Sequence, residues 1–534
     1  MPSQKVKQKK IPYLLLILVI SLLPVVYFLL AQDLFHTHDG LVHLPRIGAY
    51  FKSLKDGQIL PRWAGDLNYG YGMPLFNFMY HTPYLVSSAF LFLGANLVWS
   101  FKLSVVLSFF LSGVFMYLFA KDFFQDEKKG FIVALLYQFT PFHLVELLIR
   151  GSFGEIYTYA FLPLVLFGAL RLGKKTSKLN VILTVLAVFF LIISHNSISL
   201  VYFFLASVFV LLFVPSLKSK ATVFSAFALG LVASAFYWFP AVFEHQYTFG
   251  DLYMRDLYKS HFAPIWYFLI PNILKSKQLE IGAVSVQFGL FNILAIVLSF
   301  FSYRKTKDLK IKKLIAFCIA CILVSLFFMQ PVSKFLWQNL SLLRQFQFPW
   351  RFLSVIVFAS SLLGFTFLDF KIFTKKNIYI LLCILIVITT VAYWKPAEGI
   401  DKINESYYWN FPLNTTYYGE TDVIWSAGAF KKFPKAHIEL ISGEADIANY
   451  KRISYKHTFT VDAKTENVRI VDHTQYFPDW RVFVDGKQAD IQFQDPSWRG
   501  EITFSVPKGK HNVEVIFQKS IFKVVLRTIS NLRK

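Results

Sequence analysis

Apolar runs of similar length recur along this chain, near residues 11–31, 97–120, 130–149, 153–172, 178–195, 197–215, 220–242, 283–302, 312–331, 350–370 and 377–395. A helix needs roughly 20 apolar residues to cross the hydrocarbon of a bilayer. A helix that is apolar all round has no polar face to offer water, so a soluble fold has little use for so many. The runs predict an α-helical polytopic membrane protein with about eleven spans. A composition that is 55% hydrophobic, with 60 Phe, agrees.

The charges orient these spans. The formal net charge is +23, an excess that first suggests nucleic acid. The basic residues, however, fall in short loops between apolar runs, where they match topology signals and anionic lipid head groups; membrane lipids, not nucleic acid, are the expected partners. The clusters are Lys121/Lys128/Lys129, Arg171/Lys174/Lys175/Lys178, Lys218/Lys220, 304–313 and Lys371/Lys375/Lys376. With the N-terminus cytoplasmic, every cluster is cytoplasmic and the C-terminus is outside. Lys5, Lys7, Lys9 and Lys10 precede the first run, which reads as a retained signal anchor. The apolar run 84–93 is short, and Gly94-Ala95-Asn96 ends it. If it spanned, all later orientations would invert, so it is read as an interfacial or re-entrant helix; two full spans in this stretch is the alternative. Cys318, Cys321 and Cys383 lie inside apolar runs and read as small buried hydrophobes.

The character changes after the last run. Residues 1–395 form the expected transmembrane domain, with an outer loop at 32–96, and residues 396–534 an extracytoplasmic domain. His437-Ile-Glu-Leu-Ile, Tyr455-Lys-His-Thr-Phe-Thr-Val, Val468-Arg-Ile-Val and Val513-Glu-Val-Ile-Phe have the alternation of half-buried strands, which predicts a β-sandwich. Asp485-Gly486 predicts a tight turn closing a hairpin from Trp480. The tail from Ser520 is too short to span, and is expected on the outer leaflet or against the sandwich.

Ionisable groups at a membrane edge are the natural carriers of chemistry in such a chain. The outer loop reads His36-Thr-His-Asp39-Gly-Leu-Val-His43-Leu-Pro-Arg46, then Leu60-Pro-Arg62-Trp63. Asp39 sits just beyond the first run, in a setting that suits a general base. His36, His38 and His43 are candidates for binding a metal with Asp39 or for bonding a phosphate, although the spacing is not that of a standard zinc motif. The plainer reading makes Asp39 the N-cap of an amphipathic helix carrying Leu41, Leu44 and Ile47. Further on, Glu146-Leu-Leu-Ile-Arg150-Gly-Ser-Phe-Gly-Glu155 faces the same side. There Glu155 is a second acid, a metal ligand together with Asp39, or half of a local ion pair with Arg150. His195 ends a span on that side, with a helix-end role as its simpler account. Arg351 follows Pro349 at head-group level, where a guanidinium pairs with phosphate or snorkels to ordinary lipid. Glu244 and His245 are weaker candidates. The middles of the spans hold almost no charge, which argues against an ion-coupled transporter.

These segments carry a family resemblance. His38-Asp39-Gly-Leu-Val-His43-Leu-Pro-Arg46, Asp56-Gly-Gln-Ile-Leu-Pro-Arg-Trp63, Asn68-Tyr-Gly-Tyr-Gly-Met-Pro-Leu-Phe76 and Phe346-Gln-Phe-Pro-Trp-Arg-Phe352 resemble the bacterial membrane family labelled 6-pyruvoyl-tetrahydropterin synthase-related. Nothing resembles the soluble pterin enzyme. Tyr476-Phe-Pro-Asp-Trp480-Arg-Val-Phe-Val-Asp-Gly-Lys487 is similar to the outer β-domain of YfhO-type membrane proteins. Both groups resemble GT-C glycosyltransferases. That resemblance implies interfacial helices in the first outer loop, an acid there as base or metal ligand, and a polyprenyl-phosphate sugar donor. Asp39 is the matching position. The adjacent acid pair of several GT-C families is absent, since His38 and Gly40 flank Asp39. Metal dependence therefore stays open, with a divalent ion the candidate cofactor.

The expectation is an inverting GT-C-like glycosyltransferase of the bacterial cytoplasmic membrane. It would move a sugar from polyprenyl phosphate to an envelope glycan or protein acceptor. Asp39 and Glu155 are the expected catalytic residues; His38, His43, Arg46, Arg62, Arg150, His195 and Arg351 are expected to bind substrate. The alternative is a non-catalytic envelope protein that binds or flips lipid-linked glycan.

Overall fold

The computed structural model describes residues 12–270, 280–281, 284–396, 398–416, 419–426 and 428–518. The N-terminal lysines and the tail from Ser520 lie outside the described residues.

The protein is mostly helical, and the apolar runs are its helices. Seven helical stretches among the described residues are long and apolar enough to cross a membrane: Tyr13–Leu30, Leu97–Phe124, Glu155–Lys174, Asn196–Phe213, Leu309–Met329, Pro349–Asp369 and Lys376–Tyr393. Two bent pairs raise the number to nine: Glu127–Gln138 with Pro141–Arg150, bent by 50°, and Leu217–Ala233 with Ala235–Phe243, bent by 68°. The other two predicted runs form shorter helices, Lys178–Ile192 of 15 residues and Leu290–Lys305 of 16. The run expected at 283–302 starts late because residues 284 and 285 are extended and Gly289 has φ 92°.

Local chemistry sets the ends. Side chains of Asn96, Asp126, Ser177, Ser216 and Asp308 each accept a backbone N–H from the first turn of the following helix. Pro141 has no N–H to donate, so the predicted run 130–149 breaks there and restarts. The helix Thr82–Phe92 has 11 residues. At about 1.5 Å per residue it covers only half of the roughly 30 Å of hydrocarbon.

The long helix Leu97–Phe124 packs against both Glu127–Gln138 and Glu155–Lys174. Gly113 makes part of this close: a Cβ there would lie 2.3 Å from the Gln138 side chain. Gln138 donates to the Phe109 carbonyl at 2.8 Å and accepts from Ser21 at 2.9 Å, so its buried amide is satisfied where there is no water.

Twelve strands are described: β1 (Leu34–Phe35), β2 (Glu280–Ile281), β3 (Val284–Ser285), β4 (Ile400–Asp401), β5 (Ile438–Ser442), β6 (Ala445–Ile453), β7 (Lys456–Ala463), β8 (Val468–Gln475), β9 (Trp480–Val484), β10 (Lys487–Ala489), β11 (Glu501–Val506) and β12 (Gly509–Phe517). The C-terminal sheets have the orders β10-β9-β12-β7-β6 and β11-β8-β5, with antiparallel neighbours. They share one apolar core, with Phe459, Val461, Trp480 and Val515 from the first sheet and Ile470, Phe504 and Val506 from the second. Asp485 (φ 49°) and Gly486 (φ 76°) close the β9–β10 hairpin, as the sequence predicts.

The segment after the last span packs on the outer loop. β4 pairs with β1, joining Ile400 to Phe35. Glu405 caps the helix Leu97–Phe124 by accepting from the Leu97 and Val98 amides at 3.3 and 3.1 Å. Lys52 donates to the Trp409 carbonyl at 2.8 Å. From the other side, Trp63 of the outer loop enters the sheet core, its ring 5.2 Å from that of Trp480. The outer loop thus packs against both the 400–416 segment and the sheets.

Candidate active site

The site begins at a local irregularity. The broken helix that restarts at Pro141 ends in a π-turn, Glu146–Arg150, and Gly151 then turns the chain at φ 64°. Such π-turns are common at functional positions. Gly151 also lets the outer loop approach, since a Cβ there would meet the Thr37 hydroxyl at 2.6 Å. Two backbone bonds lash the loop to this turn: the His38 amide to the Ile149 carbonyl at 3.3 Å, and the Asp39 amide to the Arg150 carbonyl at 2.9 Å.

Asp39 occupies the N-cap position of the helix Gly40–Lys55, but its side chain makes no capping bond. Thr37 takes that role, accepting from the Gly40 amide at 2.9 Å. The plainer reading of Asp39 thus describes its position but not its carboxylate, which is partly exposed beside Arg150.

Beneath it lies a buried ionic cluster. Glu155 Oε1 accepts from Arg150 at 3.2 Å and from Arg351 Nε at 2.9 Å. Arg150 also donates to Glu146, four residues earlier on the same turn. The Arg351 guanidinium donates to the Phe346 carbonyl at 2.8 Å and to Gln347 at 3.0 Å. The rings of Trp350 and Phe348 cover Arg150 and Arg351, at 4.5 and 5.1 Å. His195 Nδ1 accepts the Ile198 amide as a helix N-cap, which leaves Nε2 facing Glu155 at 3.7 Å. Two acids and two guanidiniums meet in this cluster: Glu155 forms the local pair with Arg150, and a distant arginine completes it. Glu146 is the member that sequence reasoning passed over, although its i,i+4 spacing to Arg150 was visible.

A second polar group shares Asp39's helix. Arg46 lies two turns on and is 4% exposed. Its Nε donates to Thr415 Oγ1 at 3.0 Å, and its guanidinium also donates to the Thr415 carbonyl. Tyr84 and Tyr80 are its polar neighbours, and both phenols feel Asp39 as well as Arg46. Burial pushes both phenols above the ordinary tyrosine range. Among the described residues, Arg46 forms no ion pair with a carboxylate; Glu420 acts on its charge from farther away. Thr415 and the tyrosines carried no signal in the sequence. Thr415 reaches the site only because the 400–416 segment folds back over the outer loop.

The remaining predicted residues separate. His43 is buried, with Nδ1 3.0 Å from the Tyr84 hydroxyl and its ring against those of Phe101 and Phe153. Burial and the Arg46 charge hold its pKa well below the usual imidazole value, so it stays neutral. His38 is open to solvent on one side; partial burial and Arg150 lower its pKa. His36 turns away to Asp401 at 2.9 Å and Glu398 at 3.3 Å. Arg62 stands apart from the Glu155 cluster: burial lowers its pKa, the charges acting on it are Asp479 and Glu244, and its buried Nη1 has no hydrogen-bond partner among the described residues. No group of three or more His, Cys, Asp or Glu among the described residues is arranged to hold a metal ion. Glu155, the expected co-ligand of Asp39, is instead covered by two guanidiniums, and this donor set does not fit a divalent ion.

Three solved structures resemble the fold at low identity. The oligosaccharyltransferase of Archaeoglobus fulgidus, in a complex with zinc and sulfate, is 14% identical with TM-score 0.42, over 78% of this chain and 59% of that one. ArnT from Cupriavidus metallidurans bound to undecaprenyl phosphate is 13% identical with TM-score 0.42, over 70% and 63%. The mycobacterial arabinofuranosyltransferase AftD is 14% identical with TM-score 0.43, over 73% and 29%. This chain thus spans less than two thirds of each of these proteins. No curated protein matches the sequence. The family model for the 6-pyruvoyl-tetrahydropterin synthase related domain, a membrane protein family, matches residues 76–397. With more than half of its length matched, the chain belongs to this membrane protein family.

Proposed function

We propose that this protein is a membrane glycosyltransferase that moves a sugar from a polyprenyl-phosphate carrier to an envelope acceptor. One observation carries this reading: the partly exposed carboxylate of Asp39 and the buried guanidinium of Arg46 sit two turns apart on one helix and share Tyr80 and Tyr84. A buried guanidinium without a carboxylate against it is costly unless an anion arrives. A phosphate is the anion whose geometry it fits best.

The chemistry follows from that pairing. The acceptor hydroxyl oxygen attacks the anomeric carbon, and the bond from that carbon to the phosphate oxygen breaks. The hydroxyl proton goes to Asp39, the electron pair leaves with the lipid phosphate, and Arg46 compensates the charge that develops there. Direct displacement inverts the anomeric centre. Glu155, Arg150, Arg351 and His195 act as positioning residues, because their charges are satisfied among themselves and the Arg150 carbonyl holds the Asp39 backbone. On this reading the site and the sheet domain face the outer side of a bacterial cytoplasmic membrane, an orientation that the distribution of basic loops supports.

The test uses purified protein, a radiolabelled polyprenyl-phosphate sugar and envelope extract. Transfer is expected from the native protein and not from Asp39→Asn, while both bind the lipid. Equal lipid binding without transfer in both would replace the enzyme by a carrier-binding protein. Label crossing a liposome without transfer would replace it by a flippase.

A further inference from the structure

The five-stranded sheet buries one face in the C-terminal core and leaves the other outward. β7 alternates strictly: His457, Phe459, Val461 and Ala463 are buried, while Lys456, Thr458, Thr460 and Asp462 are not. A solvated sheet face is ordinary in an antiparallel fold. This one is a groove of about 550 Å³, within the range of ligand sites.

Two features contribute to its walls. On one side β6 slips register between Ala448 and Lys451, with Asn449 at φ 56°. This bulge bends the edge strand. The Asn449 amide is held over the face by a bond to Thr460 Oγ1 at 3.2 Å, and that hydroxyl donates to the Ala448 carbonyl. On the other side the turn at Gly486 contributes to the rim. Between them the strand registers place Phe483, Glu514, Thr458 and Lys451 in one straight row. Four strands at about 4.8 Å spacing make that row about 14 Å long. Asn512 and Thr460 form the next row.

The chemistry of the floor selects its occupant. The chain carries a net charge of +23, yet this groove does not share the excess. Of its two charged lining residues, Glu514 is paired with Lys456 at 2.8 Å, and Lys451 is the cation. What remains is amide, hydroxyl and one half-exposed aromatic ring. Neither a polyanion nor a lipid surface is matched by such a floor. A neutral polyhydroxylated ligand is.

We propose that the outward face of the five-stranded sheet binds a neutral oligosaccharide, with Phe483 stacked on a sugar ring and Asn512, Thr458, Thr460 and Lys451 bonding its hydroxyls. Binding here needs no transfer chemistry; only the assignment of this glycan as the acceptor rests on the transferase reading.

Full-length protein in detergent is titrated with neutral gluco-, manno- and galacto-oligosaccharides, with a heparin oligosaccharide as the polyanionic control. At least one neutral glycan is expected to bind at millimolar concentrations or below. Phe483→Ala is expected to weaken it about five- to tenfold, the size of a lost ring-stacking contact, and Phe483→Trp to retain it. Thr460→Val provides a second site variant should the alanine variant fold poorly. Asp39→Asn is expected to leave this binding unchanged while transfer is lost, so failure of the groove and failure of the transferase reading are told apart. Absence of binding by all neutral glycans, binding of heparin alone, or binding insensitive to both groove substitutions overturns the proposal.

Discussion

Asp39 stands between two guanidinium-bearing regions that resolve their charge in opposite ways. On one side Arg150 and Arg351 close on Glu146 and Glu155, with aromatic rings over both cations. On the other, Arg46 is as deeply buried but is held by a threonine and the neighbourhood of two tyrosines. The first region pairs each cation with an acid without a ligand and suits a scaffold. The second keeps a cation out of water with no carboxylate ion-paired to it among the described residues, which is the condition for receiving an anion.

The largest effect that would test this contrast is on stability. Glu155→Ala leaves the buried Arg351 without a carboxylate and Arg150 with Glu146 alone, and is expected to cost about 3–5 kcal/mol. Arg46→Met removes a cation that, among the described residues, no carboxylate ion-pairs, and should leave the unfolding temperature in detergent equal or higher. A matching loss in both variants would erase the distinction. Next, Asp39→Asn is expected to lower transfer by about 10²–10⁴-fold with no loss of stability, the range of a positioned general base. A drop that tracked protein unfolding would make Asp39 a structural residue.

Thr415→Val sharpens the Arg46 side. Losing a hydrogen bond to a charged group costs about 1.5–3 kcal/mol. The loss should weaken lipid-phosphate binding and the compensation of the leaving charge, raising KM and lowering kcat. An unchanged KM would show that the 400–416 segment does not orient Arg46.

The smallest effect concerns the grip of the sheets on the outer loop. Arg452 donates to the Gly65 and Gly70 carbonyls at 2.7 and 2.6 Å, and lies 2.6 Å from His437 Nε2. Burial, then Arg452, pushes the His437 pKa down to about 4. A depressed imidazole contributes stability that is present above the unfolded value near 6.5 and is lost as pH falls through about 4. Hydrogen exchange of residues 65–70 should therefore speed up between those values, and His437→Gln should flatten the response. Exchange that ignored pH across that window, after correction for intrinsic rates, would remove His437 from the contact.

The two sides of Asp39 also differ in how far they could be read in advance. Glu146, Arg150 and Glu155 lie within ten residues, so a local pair was visible as spacing. Arg351 was suspected of meeting a phosphate and instead meets Glu155, 196 residues away. Arg46 is legible as a candidate cation in the sequence, but its partner Thr415, 369 residues off, is not. Arg62, expected with the other cations, faces Glu244 and Asp479 at the junction with the sheets. His43 was weighed as a ligand and proved to be an aromatic-box residue bonded to Tyr84. In each case charge and chemistry were known, and direction was not.

By itself, the sequence determined where the apolar helices lie, which segments alternate as strands, and that Asp485-Gly486 turns the chain. Those features depend on periodicity and on residues within a few positions of each other. Tertiary packing alone decided that the segment after the last span folds back over the outer loop, and which of four arginines an acid would silence. A salt bridge forms between side chains that the fold brings within a few ångströms, and no local pattern records that distance.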